Sequence, residues 1–246
     1  MQRWPCCLPT VVLLALSTFC IAVAKDLPAG GHERWIELVE PAYRDAVGRV
    51  VRDPSLQVRA APESFPGALS TYEQLLYAPH RVARLWAAVG FADTLVRRSD
   101  DGWFVAQDPR GNRGRWRFVY QGQTLAVAYG EGMYRSPLGA RSLSFETVVA
   151  WRYLDWSVGG RTYLTHEATA WFRLRHPAQH RLLQLVRPMA VPLAHRRLRE
   201  AMLSLAIPVR LEAENPPKFR AWLEHAGLSA PKALASQQPP SPRPGE

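Results

Sequence analysis

The most informative part of the sequence is residues 143–175, LSFETVVAWRYLDWSVGGRTYLTHEATAWFRLR. On both sides of Gly159 and Gly160, apolar and polar side chains alternate, and a period of two is typical of a half-buried β-strand. A glycine pair between two such runs indicates a tight hairpin turn. We therefore predict two long antiparallel strands, Leu143–Trp156 and Thr162–Arg175, as the backbone of a strongly bent sheet.

Shorter segments of the same alternation precede this hairpin. They are Leu56–Ala60, Thr94–Arg98, Trp103–Gln107, Arg115–Tyr120 and Thr124–Tyr134. From Thr94 onward the connections are short and rich in Gly, Asp, Asn, Pro and Ser, the residues that favour turns. Strands joined by such short connections are expected to be antiparallel neighbours in one sheet.

Helical periodicity flanks the strands on both sides. The predicted helices are His32–Val51, a helix that begins at Thr71, a segment from Pro79 that stops at Gly90, Ala178–Ile207, and Pro217–Ala226. Ser70 is expected to cap the second of these, with Glu73 completing a capping box. Pro188 and Pro192 are expected to interrupt or kink the long helix, and Pro208 is expected to end it.

The segment Ala78–Trp86, APHRVARLW, resembles the helix start of the START and polyketide-cyclase-like superfamily, whose fold is the helix-grip. The order of elements over residues 55–207 is similar to that fold. The resemblance implies an α+β architecture, with a curved antiparallel sheet wrapped around a long C-terminal helix and an apolar ligand cavity between them. Residues 25–54, with their extra N-terminal helix, and the proline-broken terminal helix depart from the simplest version of the family.

Residues 1–24 have the pattern of a signal peptide. Arg3 gives a positive start, Leu8–Val23 is almost uninterrupted apolar chain, and Ala22-Val23-Ala24 is a small-x-small cleavage site. We therefore expect an exported protein, periplasmic or secreted, that begins at Lys25. The three cysteines of the chain all precede Lys25, so the mature chain would form no disulfide.

The expected organisation is thus a signal peptide at 1–24, an N-terminal helical extension at 25–54, a helix-grip-like domain at 55–227, and a disordered proline-rich tail at 228–246.

One face of the last long strand supplies the predicted ligand-binding residues. Together with the apolar face of the terminal helix they are Leu164, His166, Ala168, Ala170, Phe172, Leu198 and Met202, with Leu174 on the same strand face. The small side chains of Ala168 and Ala170 would leave room for a ligand. An ordinary packed core is the alternative, because most apolar stripes are core. His166 is either a base or ligand-orienting donor, or a buried neutral histidine with one hydrogen bond.

Residues for catalysis are not specified by any motif. The sequence contains no nucleophile elbow, phosphate loop, dinucleotide fingerprint or zinc-protease motif, so catalytic residues stay unassigned and no cofactor is expected. Glu131 lies between two glycines and could be an acid in a cleft or a bulge residue. Tyr153 and Asp155 are expected to form a surface hydrogen-bonding pair. His176 and His180 have the spacing of metal ligands, but no third ligand accompanies them, so no metal is expected.

The chain of 246 residues carries a net charge of +10, and only three of its 31 basic residues are lysines. A membrane-surface cluster is predicted from four arginines that alternate with aromatic residues around one hairpin: Arg110, Arg113, Arg115 and Arg117. Arginine and tryptophan together suit an anionic membrane surface. A solvated strand face is the alternative, and nucleic acid is not expected as a partner of an exported protein.

These observations predict an exported binding or transport protein for a hydrophobic small molecule, a lipid or sterol-like compound. Two alternatives stay open. One is a cyclase- or hydrolase-like enzyme on the same fold, which needs His166, Glu131 or Asp155 to converge. The other is an envelope interaction protein with a solid core and no ligand.

Overall fold

The computed structural model describes residues 34–91, 94–109, 111–135 and 142–228, with the backbone alone at 177–186 and 189. The predicted signal peptide, residues 229–246 of the predicted tail, and Arg110 lie outside the described residues. No helix within these ranges is long and apolar enough to cross a membrane.

Seven strands form one antiparallel sheet in the order β1-β7-β6-β5-β4-β3-β2. They are β1 Leu56–Pro66, β2 Leu95–Arg98, β3 Phe104–Gln107, β4 Arg113–Gln121, β5 Leu125–Arg135, β6 Ser142–Val158 and β7 Arg161–Leu174. Each predicted strand is present, and β1 runs six residues beyond its predicted end at Ala60. The predicted fold class is confirmed: a curved antiparallel sheet combined with a long C-terminal helix and an N-terminal helix.

The hairpin between β6 and β7 sets the register of the sheet. Gly159 and Gly160 have φ angles of +58° and +73°, a left-handed conformation that side chains with a Cβ rarely adopt. Val158 then pairs with Arg161, and the pairing continues without a shift to Phe145 and Leu174. This turn therefore fixes which residues of β6 and β7 lie opposite each other and which of them share a face of the sheet.

The helices surround the sheet. Two 3₁₀-helices, Arg34–Leu38 and Pro41–Tyr43, precede α1 Arg44–Arg52, and the other helices are α2 Leu69–Leu76, α3 Pro79–Ala88, α4 Pro177–Glu214 and α5 Pro216–His225. The single helix predicted from His32 to Val51 is therefore wrong. The chain turns out of helical geometry at Val39 and Glu40, and Pro41 starts a new 3₁₀ turn because its ring presets a helical φ and needs no amide partner there.

Two predicted helix boundaries are also wrong. α2 begins at Leu69 with Ala68 at its N-cap and no side-chain capping bond, so Ser70 lies inside the helix and forms no capping box. α4 continues through Pro208 to Glu214, and Pro188 and Pro192 also lie inside it. A proline inside a helix removes one backbone hydrogen-bond donor and normally disfavours the helix. Pro208 is buried, so its packing outweighs the low helix propensity of proline at this position.

Both faces of the sheet are covered. The inner face packs against α2, α3, α4 and α5. The outer face packs against residues 34–52, whose buried side chains Trp35, Ile36, Val39, Val47 and Val50 contact outer-face residues such as Val127, Val148 and Trp171. The rings of Trp35 and Trp171 lie 5.9 Å apart. The N-terminal extension is thus a second hydrophobic layer, and each such side chain contributes about 1.5–3 kcal/mol when fully buried.

Candidate functional site

The two faces of β6 differ in how well they are covered. The outer-face residues Glu146, Val148 and Ala150 are 7%, 0% and 5% exposed. The inner-face residues that alternate with them, Phe145, Thr147, Val149 and Trp151, are only half-buried. The inner face of β6 is therefore less completely covered than its outer face, which makes the region between the sheet and α4 the candidate ligand site.

The candidate site is completely buried at one end. Along β6 and β7, Tyr153 pairs with His166, and these two residues are 1% exposed. The second half of α4 closes this region with a continuous apolar face formed by Leu198, Met202, Leu205, Ala206 and Val209. Earlier in α4, Val191 and Ala194 are only half-buried and Leu193 is 44% exposed. Burial is therefore less complete toward Phe145 and Phe172.

Three buried polar atoms on the inner face have no hydrogen-bond partner among the described residues: Thr147 Oγ1, Trp151 Nε1 and His166 Nε2. A buried polar group that stays unpaired costs roughly 1–3 kcal/mol, so such groups are rare and call for an explanation. Similar atoms in His80, Arg117 and Arg173 lie on α3 and on the outer face. Each of these three inner-face groups is able to donate a hydrogen bond to an oxygen atom.

His166 is held in one orientation by its surroundings. Its Nδ1 lies 3.0 Å from the Tyr72 hydroxyl, and the ring of Phe65 packs edge-on against the imidazole at 5.0 Å. Burial lowers the pKa of His166 to about 4, so the imidazole is neutral at pH 7. When Tyr72 donates to Nδ1, the single ring proton is on Nε2, which can donate to a ligand oxygen.

A tyrosine pair closes the end of the site next to His166. The Tyr153 hydroxyl lies 2.8 Å from the Tyr77 hydroxyl and donates to the Gly122 carbonyl at 2.9 Å, with Glu73 at 3.3 Å. Burial raises the pKa of Tyr77 to about 12 and raises that of Glu73 above its ordinary value. These groups are thus protonated hydroxyls and a poorly solvated carboxyl that tie α2 to the sheet.

The predicted surface pair of Tyr153 and Asp155 is wrong. Tyr153 is buried and bonded to α2 and to the turn before β5, whereas Asp155 is exposed. The reason is that α2 packs over the start of this inner face, a contact between segments far apart in sequence.

The predicted ligand-binding residues lie on the inner side of the sheet or on the helix facing it. Ala168, Ala170, Leu198 and Met202 belong to one closely packed cluster with Val58, and each is at most 7% exposed. Leu164 and Leu174 are also buried. Phe172 is half-buried at the less buried end, edge-on to Phe145 at 5.9 Å. Of the predicted set, Phe172 is the least buried, and His166 carries a buried nitrogen without a hydrogen-bond partner among the described residues.

Sequence reasoning missed Thr147 and Trp151. Both lie on the inner face of β6 and pair with Phe172 and Ala168 of β7. The alternation that selected the face of the last strand, applied to the preceding long strand through the hairpin register, would have found them.

Glu131 and the arginine cluster lie on the outer face. The Glu131 carboxylate is 2.8 Å from Arg175 and 3.1 Å from Arg115. The Arg115 guanidinium lies over the Trp103 ring at 4.6 Å, and Arg117 lies over Tyr43 at 5.0 Å and 3.4 Å from Glu40.

Arg113 is exposed. Arg115 and Arg117, in contrast, are engaged with the N-terminal layer or with outer-face acids. Glu131 lies on the face opposite His166, and Asp155 is exposed, so the three residues that an enzyme would need do not converge. Within the described ranges, no group of three His, Cys, Asp or Glu residues could hold a metal ion.

No protein-family profile and no curated protein sequence matches this chain. Solved structures with a similar fold include a conserved protein from Geobacillus kaustophilus, with a TM-score of 0.41, 7% identity, and coverage of 64% of this chain and 97% of that chain. Truncated norcoclaurine synthase from Thalictrum flavum has a TM-score of 0.38 and 10% identity, and the match covers 65% of this chain and 95% of that chain. The likeness concerns the arrangement of sheet and helices alone.

Proposed function

We propose that this protein is an exported binding or transport protein for a hydrophobic ligand, a lipid or sterol-like molecule, held between the inner face of the sheet and α4. The observation that carries this proposal is the row of three buried polar atoms, on Thr147, Trp151 and His166, beside half-buried apolar side chains. A molecule that is mainly apolar and has a few oxygen atoms complements such a surface.

The affinity would come mainly from apolar burial. Each buried CH₂ group contributes about 0.8 kcal/mol, so an acyl chain or fused ring system needs few polar contacts. The three polar groups would fix its orientation. From Thr147 to the Tyr153–His166 pair is six strand residues, on the order of 20 Å at about 3.3 Å per residue. An elongated ligand suits a row of this length.

The test begins with the exported protein as cells make it. We expect N-terminal sequencing to find Lys25 as the first residue, and mass spectrometry of organic extracts to find a lipid. A mature chain that retains Cys20 would contradict the export part of the proposal. Extracts without lipid, together with no uptake of a fluorescent fatty acid or sterol, would contradict the binding part and favour an interaction protein without ligand.

A pair of matched variants locates the site. Trp151→Phe removes Nε1–H and keeps an aromatic ring, so uptake of the fluorescent compound should weaken by about two- to tenfold, the value of one hydrogen bond. Trp103→Phe makes the same change on the outer face, where it should leave uptake unchanged. Equal weakening in both variants would show that the effect comes from the fold and not from the inner face.

A further inference from the structure

Three exposed apolar side chains lie at the end of α3 and the start of β2. Val89 is 44% exposed, Phe91 80% and Leu95 60%. Single exposed apolar residues are ordinary on protein surfaces. Three of them within seven residues of the sequence, including a phenylalanine that is 80% exposed, are unusual, because exposed apolar clusters often mark interaction sites.

The end of α3 presents Phe91 in a fixed position. Gly90 has a φ of +76°, its amide donates to the Ala87 carbonyl at 3.0 Å, and the Phe91 amide donates to the Trp86 carbonyl at 3.0 Å. These two bonds are the Schellman motif that ends many helices. The Phe91 ring packs edge-on against Trp86 at 5.8 Å.

Trp86 is itself anchored in the fold. Its Nε1 donates to the Ser204 carbonyl of α4 at 3.1 Å, and its ring lies 5.3 Å from that of Trp222 in α5. The exposed ring of Phe91 therefore projects from a rigid support.

Positive charge accompanies these apolar residues. Residues 79–98 contain four arginines, Arg81, Arg84, Arg97 and Arg98, and one acidic residue, Asp93. Arg84, Arg97 and Arg98 are exposed, and none of the four forms an ion pair with another residue in the described part of the chain. Arg115 and Arg117, in contrast, have carboxylate partners. Arg84 donates to the Ala226 and Gly227 carbonyls and Arg98 lies over the Phe104 ring, but no carboxylate of the described residues neutralises these arginines. Their positive charge can therefore attract an external anionic partner.

We propose that the α3–β2 surface, at the edge of the sheet, contacts an anionic lipid membrane through Val89, Phe91 and Arg84 at the end of α3 and through Leu95 and Arg97 on the outer side of β2. Aromatic and aliphatic side chains enter the headgroup region of a bilayer, while arginines bind lipid phosphates around them. The net charge of +10 favours the same partner at longer range. This surface shares no residue with the inner face, so the inference goes beyond the proposed ligand binding and does not depend on it.

The test is cosedimentation of the full mature chain with phosphatidylcholine vesicles, with and without phosphatidylglycerol, at low and high salt. The wild-type protein should bind the anionic vesicles and dissociate at high salt, because exposed charges are screened. Phe91→Ser should weaken this binding at least several-fold. Leu38→Ser removes another exposed apolar side chain, 54% exposed, from the N-terminal layer and should leave binding unchanged.

Other outcomes overturn the proposal. If Phe91 only completes the end of α3, Phe91→Ser will lower the melting temperature and leave vesicle binding at the wild-type level. If Arg113→Gln abolishes binding while Arg97→Gln does not, the β4 hairpin is the membrane surface. If sedimentation velocity shows a dimer that Phe91→Ser dissociates, the surface joins two copies of the chain. Equal binding to vesicles with and without phosphatidylglycerol would show that the arginines do not attract the protein to the membrane.

Discussion

The Tyr72 hydroxyl lies 3.0 Å from Nδ1 of His166, and both side chains are at most 1% exposed. This bond joins α2 to β7 across the inner face and leaves Nε2 of the imidazole as a free polar atom beside the candidate site. One hydrogen bond thus has two consequences: it holds a helix on the sheet, and it fixes which nitrogen can meet a ligand.

Removing this hydroxyl tests the first consequence. Tyr72→Phe leaves Nδ1 buried and unpaired, so the free energy of unfolding should fall by roughly 1–3 kcal/mol. Urea unfolding measures the change. Tyr134→Phe is the control, because Tyr134 is only half-buried and its variant should stay within about 0.5 kcal/mol of the wild type. Equal stability of Tyr72→Phe and wild type would show that the bond adds nothing to the fold.

The depressed pKa of His166 predicts a loss of stability in mild acid. Burial lowers the pKa from 6.5 to about 4 in the folded protein, so the unfolded chain takes up the proton first as pH falls. Stability is full above pH 6.5 and declines as pH falls through the window between these two values. From pH 7 to pH 5 the contribution of His166 is on the order of 2 kcal/mol.

Urea unfolding at pH 7 and pH 5 tests this window. His166→Gln should be less stable at pH 7 and should lose less stability than the wild type between the two pH values. Carboxyl groups titrate mostly below this range, so they contribute little to the difference. An identical pH dependence in wild type and variant would mean that His166 keeps an ordinary pKa in the folded protein.

The strands and α3 could be predicted because their signals are local. The alternation of a strand, and a helix that starts at Pro79 and stops at Gly90, both depend only on residues close together in the sequence. The N-terminal layer over the outer face could not. Because Trp171 alternates with Ala170 and Phe172, it lies on the face opposite the predicted ligand-binding residues, yet it is 3% exposed because Trp35 packs against it. Alternation shows that two faces differ, but it cannot show that a distant segment covers the second one.

The burial of two glutamates on the outer face could not be predicted from the sequence either. As charged residues in an alternating strand, Glu146 and Glu167 would be expected to face solvent, but they are only 7% and 5% exposed. Tyr129 donates to Glu146 at 2.8 Å, and Arg59 lies 2.6 Å from Glu167. Their partners come from other strands, so the sequence of β6 or β7 alone could not distinguish them from surface residues. The three unpaired inner-face atoms could not be predicted for a similar reason, because whether a polar atom finds a hydrogen-bond partner depends on every element packed around it.

Ala170→Trp tests how tightly the inner face is packed beneath α4. Ala170 is 1% exposed in a cluster with Val58, Leu198 and Met202, so the added indole should overpack it and lower stability by about 1–3 kcal/mol. Thermal unfolding measures this. Arg161→Trp adds the same ring at the exposed hairpin tip and should have little effect.

A melting temperature of Ala170→Trp near that of the wild type would mean that the space continues past Ala170 to Leu198. On the outer face, Trp171→Ala should lower stability by roughly 3–5 kcal/mol, because it removes a tryptophan that is 3% exposed.

Two glycines should respond to alanine with opposite signs. Gly48 lies in the middle of α1, where an added Cβ would meet only the Arg52 guanidinium at 3.8 Å. Gly48→Ala should therefore stabilise the protein by about 0.5–1 kcal/mol through helix propensity.

Gly67 precedes α2, and an added Cβ there would collide with the fully buried Val209 side chain of α4. Gly67→Ala should therefore destabilise by roughly 1–3 kcal/mol. Chemical unfolding of both variants measures the pair. Stabilisation by Gly67→Ala would show that α4 does not approach this turn, and a loss of stability in Gly48→Ala would show that α1 packs on the sheet through a different face.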